Sequence, residues 1–431
     1  MQRTRFRHLR SALAAWTIAL AVALGGRPAR AQVVFQADGA VDLGYTATRL
    51  TPANSRRLYL DVRPALTVQF GSPRLTWRAG YLFAGSLTLD GTGSSAYSNQ
   101  VSLALAAELS KRSTMTASGS ITQGSTAFQL TQRAPDAGQA DFRAPGNPDL
   151  VTATLAESFA WEASPNLRLG QGLLGSASAP QDALGRTSGA VTASASLDRL
   201  FVRDAVGALL RSGFAVLRPL VEGAAEARIV TNSLAGSWNH DFDPRWNAEV
   251  TAGVEQVIAL TGSRATTIVP TGGLTARYLG DDSVVSLAVS QAAAANLQTG
   301  TESLNDEVVL RGAVSFDRIR QRQLGASAGF LRARPLGEVI PGAAATMGNA
   351  VQGDVGLVWG FSEVLLATAR YSVAYQFGQG ANLTPSLVHV ALVGITIRYG
   401  NAPYLPPMPA IGRRVDGSDA VGFPAGGVRE Q

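Results

Sequence analysis

The sequence predicts an all-β chain: a closed antiparallel transmembrane β-barrel of about eighteen strands, with short periplasmic turns and longer outer loops. Merging one hairpin would make it sixteen. Three observations predict this fold: an N-terminal export leader, apolar–polar alternation at period two along most of the chain, and connections that alternate short and long.

The leader comes first. Arg3, Arg5, Arg7 and Arg10 precede an apolar run from Ala12 to Leu24, followed by Gly25-Gly26 and the small-residue pattern Ala29-Arg30-Ala31. This is the three-part layout of a secretory signal peptide, expected to be residues 1–31 with cleavage after Ala31. The apolar run falls short of the ~20 residues a spanning helix needs. Its loss changes the charge of what remains. Of 37 basic side chains against 31 acidic, six arginines and no acid lie in residues 1–31, so the remainder is formally neutral. A basic partner-binding surface for nucleic acid is therefore not indicated. There is no cysteine, which excludes disulfides, thiolate metal sites and a cysteine nucleophile.

The alternation comes next. From Leu58 to Phe70 the even positions read Leu, Leu, Val, Pro, Leu, Val, Phe, and the odd positions Tyr, Asp, Arg, Ala, Thr, Gln. Leu75, Trp77, Ala79, Tyr81 and Phe83 repeat the pattern against Arg74, Thr76 and Arg78. Eighteen such segments are counted, the first at 33–47 and the last at 386–399. They are longer than the ~5–6 residues usual for soluble strands. Hydrocarbon offers backbone groups no water, so only a closed ladder satisfies them. A soluble barrel of this size would fill its interior with apolar side chains, whereas the inner set here is Ser, Thr, Gly, Gln, Arg and Asp.

The third observation is the rhythm of the connections. Tight turns such as Gly71-Ser72-Pro73, Ser110-Lys111-Arg112 and Gly280-Asp281-Asp282 follow even-numbered segments. Longer connections follow odd-numbered ones, the longest from about Ser125 to Asp149. That loop is read either as an inward constriction or as an exposed surface loop. Residues 32–399 form the barrel. Residues 400–431, with Pro403, Pro406, Pro407, Pro409 and Pro424, cannot bury a core and are read as a disordered periplasmic tail, either docking a partner or inert.

The last segment ends Gly394-Ile395-Thr396-Ile397-Arg398-Tyr399. This resembles the terminal signal of bacterial outer-membrane barrels. The resemblance implies that the barrel-assembly machinery recognises Gly394, Ile397 and Tyr399, and that the chain resides among outer-membrane lipid. The family usually places its aromatic at the chain terminus, and here the tail follows.

If the apolar parity faces lipid, the other lines the lumen. The lumen-lining candidates are Tyr59, Asp61, Arg63, Arg74, Arg78, Arg168, Arg211, Glu249, Arg277, Arg311, Asp354, Arg370 and Arg398. Further acidic candidates are Glu108, Glu162, Asp198, Glu255, Glu307 and Asp317. The two signs balance, against a pore dominated by one of them. Either the charges pair between neighbouring strands and stiffen the wall, or a subset with Tyr59 forms a polar track for carbohydrate.

No catalytic or metal-binding pattern is present, and no cofactor is expected. Beyond the leader the histidines are His240, beside a turn, and His389, in the lipid-facing parity of the last segment; both are read as structural. Strand number, Gly/Ala/Arg-rich composition and the tail resemble the eighteen-stranded barrels that export exopolysaccharide, such as the alginate exporter. That resemblance implies polysaccharide translocation with a periplasmic polysaccharide-export protein as partner. The alginate type has an arginine-dominated pore, from which the balanced lumen here departs. The alternatives are a passive porin for small solutes and a structural or surface-display barrel without transport.

Overall fold

The computed structural model describes residues 33–50, 54–72, 74–89, 96–125, 149–181, 187–218, 226–261, 266–296, 301–317, 321–335, 347–379 and 386–400. The leader, loop 126–148 and residues 401–431 lie outside them. The described residues form eighteen strands. The first nine are β1 (Val34–Leu50), β2 (Asn54–Ser72), β3 (Leu75–Thr88), β4 (Ala96–Ser110), β5 (Ser113–Ser125), β6 (Asp149–Ser164), β7 (Leu167–Pro180), β8 (Ser188–Leu200) and β9 (Asp204–Leu217). The rest are β10 (Ala227–Asp241), β11 (Trp246–Ala259), β12 (Thr266–Leu279), β13 (Ser283–Asn296), β14 (Thr301–Asp317), β15 (Arg322–Pro335), β16 (Met347–Gly360), β17 (Leu365–Gln379) and β18 (Ser386–Gly400).

Each strand pairs antiparallel with its sequence neighbours, and β1 pairs with β18 from Gln36↔Gly400 to Leu50↔Ser386. The sheet is thus closed and the count is eighteen, not sixteen. Both described chain ends lie on the side of the tight turns, called here the turn end; the opposite side is the loop end. The long–short rhythm is less regular than the sequence suggests. The first outer connection is only residues 51–53 and the one after β13 only 297–300, because both hairpins carry their ladders further than alternation alone shows.

The fold is turned inside out relative to a water-soluble protein. Leu43, Leu155, Leu210, Leu234, Val254, Leu310, Val355 and Val393 all stand exposed on the outer face. At the turn end the outer face carries Trp161, Trp238, Phe242, Trp246, Tyr278, Phe316, Trp359 and Tyr399; Trp246 and Tyr278 have ring centroids 4.9 Å apart. Toward the loop end stand Tyr45, Phe214, Phe330, Tyr371 and Tyr375. An apolar band between two aromatic girdles matches the hydrocarbon layer and its two interfaces. Dispersed in water, that band would have no partner.

Candidate functional site: the inner wall

On the inner face, the wall from β16 through β18 and across the closure to β3 carries a cluster of ion pairs. Its centre is Asp42 of β1, 1 % exposed. Arg63 of β2 donates through Nη2 to Asp42 Oδ2, and Thr368 Oγ1 of β17 donates to Asp42 Oδ1 at 3.4 Å. Register explains the first contact: Arg63 stands opposite Ala40, two residues from Asp42, the diagonal spacing that long side chains bridge. Asp61, 3 % exposed, is the register partner of Asp42 itself. Two carboxylates directly opposite repel. Arg63 beside Asp42, and Ser86 hydrogen-bonding Asp61 from β3, offset that repulsion.

The network continues sideways. Arg370 Nε of β17 lies 2.5 Å from Asp354 Oδ2 of β16, and Arg370 also feels the charge of Arg63. Nearer the turn end, Arg398 of β18 pairs with its register partner Asp38 at 3.0 Å. Arg398 Nη1 donates to Gln321 Oε1 at 2.9 Å, from the turn before β15. Glycines make the close approaches possible. A methyl group at Gly394 would overlap the Asp42 carboxylate, and one at Gly44 would overlap the ring of Tyr59.

The wall from β8 to β13 is built differently. At its turn end Arg168 and Asp198, register partners on β7 and β8, approach to 3.4 Å. Toward the loop end its inner face turns apolar. Ala215, Leu217, Ala227, Ile229 and Val257 form a buried cluster against which Ala190 and Ala293 pack.

Register and parity place Tyr59, Asp61, Arg63, Arg78, Arg168, Arg211, Glu249, Arg311, Asp354, Arg370 and Arg398 on the inner face, while Arg74 and Arg277 sit exposed at the turn-end mouth. Asp61, Arg63, Asp354 and Arg370 are brought together with Asp42; Arg168, Arg211, Glu249 and Arg311 are distributed elsewhere around the wall. The sequence reading missed Asp38 and Asp42. Their signal was present: Gln36, Asp38, Asp42, Gly44 and Thr46 share a parity against Val41, Leu43 and Tyr45. Tyr59 has little ring surface to offer a sugar. It is 7 % exposed, lies over Gly44 and accepts a hydrogen bond from Thr46 Oγ1 at 3.3 Å. Loop 125–149, the proposed constriction, falls almost wholly outside the described residues.

Neither histidine faces the lumen. His389 meets Tyr371 Oη at 2.7 Å on the outer face, as parity predicts. His240 Nδ1 lies 2.7 Å from Asp204 Oδ1 among the turn-end aromatics, beside Trp238 and Phe242. The assembly-signal residues divide between faces: Ile397 and Tyr399 are exposed outward, and Gly394 faces inward against Asp42.

No protein-family model matches the chain, and no curated protein matches its sequence. Among solved structures it is similar to Pseudomonas aeruginosa OccK2 (OpdF), at TM-score 0.44 and 11 % identity over 84 % of this chain and 98 % of that one. It is likewise similar to P. aeruginosa OpdO, at TM-score 0.44 and 11 % identity over 85 % and 98 %. For Acinetobacter baumannii OccAB3 the TM-score is 0.41 and the identity 12 %, over 85 % and 99 %. The chain's own strands and outer face carry the assignment: it is a closed eighteen-stranded antiparallel β-barrel of the outer-membrane type.

Proposed function

We propose that this chain is a passive outer-membrane channel for small polar solutes. The observation that carries this reading is the ion-paired cluster of Asp42, Arg63, Asp354 and Arg370 on the inner wall, enclosed by a closed eighteen-stranded sheet. A barrel of that strand number is wide enough for an aqueous passage. The mature barrel sits in outer-membrane lipid with its turn end in the periplasm, the leader having directed export and the tail 400–431 lying on the periplasmic side. Ile397 and Tyr399, outward on the last strand, together with the inward Gly394 form the terminal motif read by the barrel-assembly machinery.

Pairing of the lumen charges shapes selectivity. Asp42 with Arg63, Asp354 with Arg370, Asp38 with Arg398 and Asp198 with Arg168 neutralise one another locally. Selectivity for one sign of ion requires a ring dominated by that sign. These pairs instead stiffen the wall and leave the pore nearly indifferent to charge.

Polymer export, the sequence-based expectation, finds no support on this wall. A sugar chain needs a polar track with stacking faces from end to end. Tyr59 is buried, and the loop end of the β9–β12 wall is lined by Ala, Leu, Ile and Val.

Purified protein in planar bilayers should give steady conductance with weak preference between cations and anions. Liposomes containing it should swell in monosaccharides and not in long oligosaccharides. Absence of both conductance and swelling would overturn the channel reading. Loss of a surface polymer on deletion, with small-solute uptake unchanged, would restore polymer export.

A further inference from the structure

Near the loop end the wall opens between two neighbouring strands. β11 and β12 remain in register from Trp246↔Tyr278 up to Ile258↔Thr266, and β13 and β14 from Ser283↔Val314 up to Asn296↔Thr301. β12 and β13 pair only from Leu279↔Val284 to Gly272↔Gln291. Beyond that rung Thr266–Thr271 of β12 and Ala292–Asn296 of β13 part company. The upper end of β13 leans into the barrel instead. Ala293 packs on the inner apolar cluster, its N–H donates to Glu255 Oε2 of β11 at 3.2 Å, and β13 reaches β9.

The depth of the opening is what gives it meaning. Tyr278 belongs to the turn-end girdle, and a spanning strand needs ~9–11 residues to cross the hydrocarbon. The last rung of the β12–β13 ladder, at Gly272, comes only about six residues above Tyr278. Pro270 and Ile268 continue on the outer face above it, Ile268 at 67 % exposure, with no β13 beside them. The open stretch thus begins in the outer leaflet and runs up to its polar boundary, where Gln291, Asp306 and Arg334, in the outward parity of β13 to β15, hydrogen-bond one another. Sheet edges are tolerated at that depth only where they line a cavity. On the inside, the seam meets Val269 and the buried apolar cluster of Ala215, Leu217, Ala227, Ile229 and Val257.

We propose that the β12–β13 seam is a lateral portal through which small uncharged apolar molecules pass between the lumen and the outer leaflet. The occupant is apolar because both sides of the seam are. It is small because the unpaired stretch is short, Thr266–Thr271 against Ala292–Asn296, and uncharged because a charge entering hydrocarbon is costly. Glu255 is the latch that holds the end of β13 inward. This reading rests on the barrel's membrane placement and is independent of whether the axial route conducts polar solutes.

The chain has no native cysteine, so introduced pairs report cleanly. Leu274→Cys/Val289→Cys sits on a formed rung. Pro270→Cys/Ala293→Cys sits where the next outward-facing rung would be if the ladder continued. In intact cells the first pair should form a disulfide under mild oxidation and the second should not, although a flexible bis-maleimide should bridge it. That bridge should reduce entry of the fluorescent probe N-phenyl-1-naphthylamine to the level of cells lacking the protein. Monosaccharide permeation should remain unchanged. Adding Glu255→Ala, which removes the acceptor of the Ala293 N–H, should let β13 zip to β12, so that the seam pair now oxidises and probe entry falls without any bridge. Ready oxidation of the seam pair with Glu255 intact would show a closed wall and overturn the proposal, as would probe entry indifferent to bridging. Loss of monosaccharide permeation alone would count against the channel reading and leave the portal standing.

Discussion

The wall from β16 to β3 and the wall from β9 to β13 obey the same alternation, yet they fill their inner faces in opposite ways. The first is held by charges in pairs, and its ladder runs unbroken through the closure of β18 onto β1. The second is apolar toward the loop end, and its ladder fails between β12 and β13. The difference teaches that an inner face can be stiffened from within the sheet or covered from within the lumen. Side chains that pair across adjacent strands reinforce the register that brings them together. An inner apolar patch must instead be covered, and here the end of β13 leaves its neighbour to cover it.

The largest effect that would break this contrast is on the apolar side. Leu217→Ala, at a residue 0 % exposed, should cost about 2–5 kcal/mol. It should also speed hydrogen exchange of the Ala293 amide, because the surface that holds the β13 end is cut back. Unchanged exchange there would separate the cluster from the opening. On the ionic side Asp42→Ala leaves Arg63, whose side chain is 29 % exposed, without its partner, and losing a hydrogen bond to a charged group at a half-buried site costs about 1–3 kcal/mol. Urea unfolding of the barrel in lipid vesicles should show a shift of that size. A shift below about 1 kcal/mol, the level of an exposed pair, would mean that the wall is not held by its charges.

A second change sharpens the ionic wall further. Gly394→Ala places a methyl group against the Asp42 carboxylate and should cost about 1–3 kcal/mol. The part due to the carboxylate should vanish in an Asp42→Ala background, while the part due to the Val41 carbonyl, 2.7 Å from the added methyl, should remain. Additive effects would mean that Gly394 serves assembly alone. The smallest effect lies at the loop-end rim of the other wall. There Arg228 and Arg218 hold the Glu226 carboxyl below its usual range. A carboxyl depressed in the folded state adds stability above its ordinary value, and that contribution is lost as pH falls through the depressed one. Unfolding midpoints should thus decline slightly more on acidification in the native chain than in Glu226→Gln. Identical acid profiles would show the rim cluster to be energetically silent.

Much of the barrel was legible in advance because period two is a local property. Leu58, Leu60, Val62 and Leu66 against Tyr59, Asp61 and Arg63 assign faces without any knowledge of partners. What was missed on β1 was missed for want of the same test. Asp38 and Asp42 stand in parity opposite to Val41 and Leu43, and the tail of the strand offered no contradiction. Tyr59 was assigned to the correct face, but its burial was not visible. That burial depends on Gly44 standing opposite it in register, a relation between two strands rather than within one.

By itself the sequence determined the barrel class and which side of each strand meets hydrocarbon, because alternation and membrane solvation act residue by residue along the chain; the pairing of β1 with β18 decided for eighteen strands over sixteen. Only the tertiary structure decided heights and partners. It settled that Asp42 meets Arg63 and Thr368 rather than other charges, and that Ala292–Asn296 turn inward while the neighbouring strands stay paired. The physical reason is that period two fixes a side chain's face but is blind to a shift of two residues. Register is set by contacts between strands, and a run of alanines carries no side chain large enough to announce which surface it will cover.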